Sequence, residues 1–480
     1  MNSIMLRGFQ LQNILLEFRL YLCSNMLMSR EIWIKLLSDL RIGSLVADTD
    51  DFRSPFQRDI DRIIFSSAFR RLQDKTQVFP LARNDYVRTR LTHSLEVSSV
   101  GRSLGIYVGR ELSNRYQLNI DANYFAEIIG AACLAHDIGN PPFGHAGEDT
   151  IRHWFLDPSR GSQFLRQLTP QQAAEFTHFE GNAQGFRVLT RLQRHTRDSN
   201  VTGGLQLTYA SIGAFLKYPR PAVISDVDPN RRSQKKYNYF LTESDQFQMV
   251  MNTLGLNRTG QLSFIRHPLV FLMEAADDIS YNIADMQDGF RLGLISYEEV
   301  FDFFRTLMAQ EWENLQGEIL GLSDPKDRVE TLGGKVVGKL VREVAVLFLA
   351  EEKNILNGSF DKSLVDAIPS QKCMQEMSRF AYENIYSSEP VIEIKVGGFE
   401  VIQGLLDLFI PAIFEGHNRN HYDHKRLELV LRLVPKQFTE VIQERPVDPY
   451  VRLHQIMDFI SGMTDSYALS LYRRLYGFNL

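Results

Sequence analysis

His136 and Asp137 stand side by side at the end of an apolar run, YFAEIIGAACLA, that begins at Tyr124. Gly139, Asn140, Pro141 and Pro142 then break the chain. An ionised carboxylate in an apolar setting is costly unless it is paired or bound to a metal. Adjacent imidazole and carboxylate at this point therefore suit a divalent cation. His145 follows nine residues after His136, and Glu148 three further on. Both are candidates for moving protons beside the same site, with helix capping after the Pro-Pro break as the plainer alternative. A third stretch, HPLVFLMEAADDISYNIADMQDGF (267–290), carries Asp277, Tyr281 and Asp285 at i, i+4 and i+8, hence on one face of a helix. A solvated acidic face is the usual meaning of such a pattern, but apolar residues flank AADD on both sides. With His93, the set His93, His136, Asp137 and Asp277 offers two imidazoles and two carboxylates. Such mixed nitrogen and oxygen ligands suit Mn²⁺, Mg²⁺, Fe²⁺ or Zn²⁺ and leave places for water and phosphate.

Three helices must position these four side chains. The run at 124–137 is the central one. LTHSLEVSSVGRSLGIYVGREL (91–112) has apolar residues at 91, 95, 100, 104 and 108, a helical period, and places His93 in its first turn. The third is 267–290, with Pro268 near its start and Leu269, Leu272, Met273, Ala276 and Ile283 on its buried side. Around them, 56–72 reads as an arginine-rich helix and 75–90 as extended. Residues 186–217 read as helical with a break at 202–204, and 219–238 as a polar, basic loop whose length suggests flexibility or function. Beyond about residue 310 amphipathic helices follow. VIEIKVGGFEVI (391–402) alternates around Gly397-Gly398 and predicts a small β-hairpin, and the stretch from His454 to Leu475 is helical again. No internal repeat or low-complexity tract interrupts the chain.

The sequence has 480 residues, 44% hydrophobic and 23% charged, with a net charge of −5 and a pI near 6.2. That length predicts two lobes. The charge gives no global polybasic character, although a local basic groove is compatible with it. Cys23, Cys133 and Cys373 lie far apart and form no CxxC pair, which fits a reducing cytosol. Residues 1–28 are apolar, but Arg7, Glu17 and Arg19 interrupt them and no small-residue cleavage site follows. They make neither a signal peptide nor a membrane span. Either this is an extra amphipathic helix, or translation truly starts at Met26 or Met28; the second is the preferred reading. Elsewhere no uninterrupted apolar run is long enough to cross a bilayer. The expected organisation is an N-terminal extension at 1–49 (1–27 a mis-assigned start), a catalytic core at 50–310 and a C-terminal helical lobe at 311–480.

With those residues in place, the chain resembles the HD-domain phosphohydrolases. Within them it is similar to the bacterial deoxyguanosinetriphosphate triphosphohydrolases (dGTPases). The stretches that carry the resemblance are FRRLQDKTQVFPL (69–81), VRTRLTHSLEV (87–97), HDIGNPPFGHAGE (136–148), HFEGNAQG (178–185), LKYPRP (216–221) and MEAADDISYNIAD (273–285). FEVIQGLLD (399–407) and DFISGMTDSYALSLYRRL (458–475) match more loosely. The resemblance implies a mostly α fold, an HD-domain helical core followed by the helical lobe with its hairpin. It implies hydrolysis of dGTP to deoxyguanosine and inorganic tripolyphosphate. A cation held by His93, His136, Asp137 and Asp277, Mn²⁺ or Mg²⁺, would activate water for attack at the α-phosphate. His145 falls where the family places its proton donor, with Glu148 orienting it or a water.

The resemblance also places Asn182, Lys217, Tyr218 and Lys236 near the phosphates. Arg70, Arg71, Arg88 and Arg90 are further basic candidates, each more in keeping with a surface salt bridge. Gln77 and Asp285 fall at the 3′-hydroxyl, and Val78 and Tyr281 against the 2′ carbon. Base recognition in some members comes from the C-terminal lobe of a neighbouring subunit. Here Lys395 or Glu393 falls near the expected acid and Arg426 near one of the arginines. That departure leaves broader dNTP hydrolysis open beside strict dGTP use. The implied partners are a dNTP and further copies of the chain, a hexamer among the family's closed assemblies, in the cytoplasm and without a membrane. Another HD phosphodiesterase or nucleoside monophosphatase is disfavoured by KTQVFP and LKYPRP. A single-stranded-DNA-binding effector with a relict site is the alternative from a different class, disfavoured by the intact ligand set.

Overall fold

The computed structural model describes residues 26–42, 52–77, 87–193, 203–225, 227–415, 423–439 and 448–478. Val78 and the reading of residues 1–25 lie outside them; a helix spans 26–36. Helix α1 (Pro55–Ile64) starts where Ser54 accepts the Gln57 amide at 2.8 Å and Pro55 occupies the first turn. The single helix expected over 56–72 is instead three pieces. Ser66 caps a new turn at Ser67–Arg70 through the Phe69 amide, and a 3₁₀ turn, Arg71–Asp74, follows. A hydroxyl that satisfies a free amide makes a restart cheaper than continuation at that point.

Helix α2 (Arg90–Tyr116) opens on a reciprocal cap between Thr89 and Thr92, which fixes His93 in its first turn. It lies against α3 (Asn123–Ala135), whose residues from Phe125 to Ala135 are buried except Glu127. The crossing is close: a Cβ on Gly105 would sit 2.5 Å from Ala126 Cα. After α3 the chain turns through residues 136–144 into α4 (His145–Leu156). Gly144 takes φ +58° there, in the left-handed region that favours glycine. Helices α5 (Gly181–Arg187) and α6 (Tyr209–Phe215) replace the long helical stretch expected over 186–217, with a π turn at Val188–Leu192 after α5. The loop at 219–238 is well packed in part: Arg220 donates to the carbonyls of Gln234, Pro221 and Ala222, and Asn238 is fully buried.

Helix α7 (Pro268–Arg291) is capped by His267 Nδ1, which accepts the Leu269 amide at 3.2 Å, and helix α8 (Pro325–Leu356) packs along it. The expected β-hairpin at 391–402 does not form: those residues lie inside helix α9 (Glu389–Glu415). Val391, Gly398, Val401, Ile402 and Leu405 are buried on one side, so the alternation in the sequence is overridden by the apolar period that continues to Ile413. Gly398 allows a close approach rather than a turn, since a Cβ there would meet Phe143 Cγ at 2.8 Å. Helix α9 is also long and apolar enough to cross a membrane, with mean hydropathy 1.5, although the sequence offered no uninterrupted apolar run of that kind; 61% of that window is buried in the fold. Helices α10 (Pro449–Ser461) and α11 (Asp465–Leu475) divide the expected final helix, because Thr464 caps a fresh start after Gly462. Among the described residues the only strand-like pairings are isolated bridges, including Thr76 with Thr89.

Two hydrophobic clusters result. One gathers α1, α2, α3, α6, α7 and α8. The other gathers α4, α9, α10 and α11 with Phe176, Phe179 and Phe240. The turn at 136–145 passes from the first to the second. In the second cluster Glu175 is fully buried; it takes a hydrogen bond from Tyr450 and accepts the Leu241 amide at 2.7 Å. Burial pushes its carboxyl up to about 8, against the Tyr450 and Leu241 hydrogen bonds. A carboxyl raised on folding stabilises fully below its unfolded value and loses that contribution as pH rises through the folded one. Thermal denaturation from pH 6 to 9 should thus show a falling Tm in the wild type. The fall should be smaller, by about 2 °C or more, in Glu175→Gln; parallel curves would refute the assignment.

Candidate active site and metal centre

A cleft of about 560 Å³ opens between the two clusters, and Gln77, His93, His136, Asp137, His145, Asp277 and Tyr281 all line it. His93 comes from the first turn of α2, His136 and Asp137 from the end of α3, and Asp277 from the middle of α7. Ligating atoms of His93, His136 and Asp277 lie within 4.8 Å of one another. Asp277 Oδ1 is 3.3 Å from His93 Nε2 and 3.5 Å from His136 Nε2. His136 Nδ1 donates to the Cys133 carbonyl at 2.7 Å, which turns Nε2 toward the carboxylates; burial works against its charge, but Asp137 and Asp277 raise its pKa. Asp137 is engaged differently. Its Oδ2 takes Arg90 Nη1 at 2.5 Å and its Oδ1 takes Asn140 Nδ2 at 2.6 Å, while Oδ2 stays 3.4 Å from His136 Nε2.

Buried imidazole nitrogens and a carboxylate oxygen at these separations fit one divalent ion of the first transition row, or Mg²⁺. The electrostatics agree. Burial alone would raise the Asp277 carboxyl, but the Lys217 ammonium, 2.8 Å from Oδ2, and His136 hold it far below the usual carboxylate range. Burial likewise works against the charge of Asp137, and the Arg90 guanidinium and His136 overcome it.

On the cleft's other wall, His145 is the first residue of α4. Its side chain is 78% exposed, and its Nδ1 meets Glu148 Oε2 at 2.7 Å. Glu148 is buried, and its Oε1 accepts the Gly181 amide at the start of α5 at 2.6 Å. Burial favours the neutral acid here, but His145, Lys236 and the Gly181 amide pull the carboxyl down to about 2. Glu148 thus caps α5, not its own helix, and orients His145 with its other oxygen. The cations that the resemblance assigns to the phosphates are each paired with a carboxylate. Lys217 holds Asp277, and Lys236 holds Glu180 at 3.1 Å. Asn182 donates to Glu180 Oε2 at 3.3 Å, and Asn238 ties the Asn182 carbonyl to the Tyr218 amide.

Gln77 Oε1 and Asp285 Oδ2 are buried with no hydrogen-bond partner among the described residues. Asp285 lies one turn beyond Tyr281, and burial, with Asp288 beside it, raises its carboxyl well above the usual range. Tyr281 stacks on Tyr386 with centroids 5.8 Å apart and planes 6° from parallel. The arginines divide. Arg90 is not at the surface: it is buried against Asp137. Arg88 is held by Glu96 and Asp288, and Arg70 and Arg71 by the Phe65 carbonyl and Ser67 hydroxyl. Arg426 is 62% exposed, bonds Asp423 at 3.1 Å and does not line the cleft. Lys395 does line it, whereas Glu393 does not.

The sequence did not single out Asp278, Phe143, Ser378, Tyr382 or Tyr386, which line the same cleft. Tyr382 and Tyr386 are spaced i, i+4, a signal that was available. Asp278 was hidden by its neighbour: in AADD only one acid was assigned a role, yet Asp278 bonds Ser363 at 2.9 Å beside Arg232.

Comparison with known proteins agrees with this arrangement. Residues 90–223 match the HD domain and residues 369–474 the phosphohydrolase-associated domain. A deoxyguanosinetriphosphate triphosphohydrolase-like protein of Synechocystis is 42% identical over 459 residues, covering 93% of this chain and 100% of its own. One of Pseudomonas aeruginosa is 38% identical, covering 93% and 98%. A deoxyguanosinetriphosphate triphosphohydrolase of Yersinia enterocolitica is 34% identical over 505 residues, covering 90% and 95%.

Proposed function

Because this chain belongs to the deoxyguanosinetriphosphate triphosphohydrolase family of HD-domain phosphohydrolases, we infer that it hydrolyses dGTP to deoxyguanosine and inorganic tripolyphosphate. The observation that carries this reading is one cleft with the His93, His136 and Asp277 cluster on its floor, His145 on Glu148 at one wall and the Tyr281–Tyr386 stack at the other. A divalent cation, Mn²⁺ or Mg²⁺, bound by His93, His136, Asp137 and Asp277 would supply Lewis acidity at the α-phosphate and to the attacking water.

The protein's own groups do the rest. Lys217, Lys236 and Arg90 exchange their carboxylate partners for phosphate oxygens and neutralise the triphosphate, with Asn182 and Tyr218 beside them. His145 holds a proton for the departing 5′ oxygen of the nucleoside, oriented through Nδ1 by the ionised Glu148. Gln77 Oε1 and the neutral carboxyl of Asp285 supply polar atoms for the 3′-hydroxyl, which would end their isolation. Tyr281, braced by Tyr386, fills the space at the 2′ carbon, beside Val78 in the sequence-based assignment. In this reading Arg426 serves the cleft of a neighbouring copy in a cytoplasmic homo-oligomer built on residues 311–480.

The test is product analysis on metal-loaded protein with each dNTP and GTP supplied singly. Tripolyphosphate from dGTP alone supports the reading, and release from several dNTPs moves the protein to a broader dNTP triphosphohydrolase. No turnover, with salt-dependent binding of single-stranded DNA, would overturn it. Tyr281→Ala should raise GTP hydrolysis relative to dGTP by about tenfold or more, since packing against one missing hydroxyl is worth that much. Unchanged rejection of GTP would refute the role of Tyr281.

A further inference from the structure

Two short stretches hold the two ends of the cleft. One, residues 75–77, ends in Gln77. The other, residues 140–145, ends in His145. Both are also tied to residues far along the chain. Asp465, the first residue of α11, is 1% exposed, and both its oxygens are used. Oδ2 accepts from the Thr76 amide at 2.9 Å and from the Thr76 hydroxyl; Oδ1 accepts from the Phe143 amide at 2.9 Å. A second tie runs parallel. Lys75, buried, donates from Nζ to the Asn140 carbonyl at 2.5 Å and to the Ser461 carbonyl at the end of α10 at 2.8 Å. What these ties secure is an unfavourable backbone: Phe143 has φ +61° and Gly144 φ +58°. A phenylalanine in that region costs of order 1 kcal/mol and persists only where its surroundings over-determine it. The Phe143 ring against Gly398 of α9 is a third restraint on the same residue.

We propose that Asp465 is a positioning residue. It locks the Gln77 segment and the His145 turn to one carboxylate, so that the leaving-group proton and the sugar 3′ end keep a fixed separation. The proposal rests on the role given above to His145, and the bonds to Thr76 and Phe143 carry it. Asp465 touches none of the substrate-facing atoms and acts through Phe143 and Gly144 on His145.

The experiment uses the full-length, metal-loaded protein and whichever nucleotide the wild type turns over. Asp465→Asn should lower kcat by about 10- to 100-fold, the cost of a misplacement near 1 Å, with a smaller change in KM. In a His145→Ala background the same substitution should cost less than about threefold, because its route to the chemistry is already removed. Deuterium uptake at the amides of residues 75–77, Asn140 and 143–145 should rise at least about tenfold, while that of α3 stays constant. Thr76→Val, which removes one hydroxyl and keeps the backbone, gives a milder version of the same exchange pattern and serves if Asp465→Asn does not fold. An equal loss of kcat in wild-type and His145→Ala backgrounds, or unchanged exchange in both stretches, overturns the proposal. If the wild type turns over no nucleotide, the functional reading fails, while the exchange measurement still decides whether Asp465 holds the two stretches.

Discussion

Asp277→Ala is expected to lose nucleotide hydrolysis by at least about 10³-fold and to lose its bound divalent cation with it. Among the described residues Asp277 is the one carboxylate that meets both imidazoles, through Oδ1, while Oδ2 carries Lys217. Alanine removes the proposed oxygen ligand and leaves a mostly buried ammonium whose charge the carboxylate had stabilised. Breaking such a pair costs about 3 kcal/mol or more, so the alanine variant should also melt lower. Asp277→Asn separates the two effects. It keeps the shape and one carbonyl oxygen and loses the charge, so it should remain folded while its metal content falls. Metal analysis by mass spectrometry, paired with tripolyphosphate release and a melting curve, reads all three. An asparagine variant that keeps one metal per chain and wild-type turnover would remove Asp277 from the centre.

His145→Ala should behave in the opposite way toward the metal. Turnover should fall by about 10² to 10⁴, the usual worth of a positioned proton donor, with metal content and KM near wild type. His145 is 78% exposed and makes one side-chain hydrogen bond, to Glu148, so its loss leaves no cavity. Glu148→Gln should cost less in kcat, about tenfold, because glutamine still accepts the Gly181 amide but gives His145 Nδ1 a weaker, uncharged hydrogen-bond partner. The Glu148 carboxyl, drawn down to about 2, stabilises the fold above its ordinary value of 4.5 and loses that contribution as pH falls toward 2. Glu148→Gln should therefore flatten acid unfolding below pH 4.5. Wild-type turnover in His145→Ala would refute the proton-donor role, and unchanged acid unfolding in Glu148→Gln would refute the pairing.

The centre was legible because its costs are visible in one dimension. A histidine and an acid ending an apolar helix, and an acid inside an apolar stretch, each break a pattern that a plain core would keep, and His93, His136 and Asp277 do converge. The three helices that carry them start and stop within a few residues of the expected limits, since Thr89 and Pro268 mark their starts and the Pro-Pro pair follows the end of α3. What failed depended on tertiary contact. Gly397-Gly398 resembles a turn, but Gly398 is small because Phe143 lies on it. Arg90 reads as a surface cation until Asp137, far along the chain, is folded beside it. The Tyr382, Tyr386 and Lys395 wall has no local mark except spacing, because its meaning lies in Tyr386 packing on Tyr281, far from it in sequence, at the same side of the cleft.

The two cores also impose an order on the making of the protein. The three side chains of the candidate metal cluster come from α2, the residue just after α3, and α7, complete by Arg291. The turn that presents His145 rests on Gly398, Ser461 and Asp465, which leave the ribosome much later. Domains fold as their residues emerge. The residues that support the His145 turn are therefore made last, after both the His93, His136 and Asp277 cluster and the core around it, which runs to Ile385.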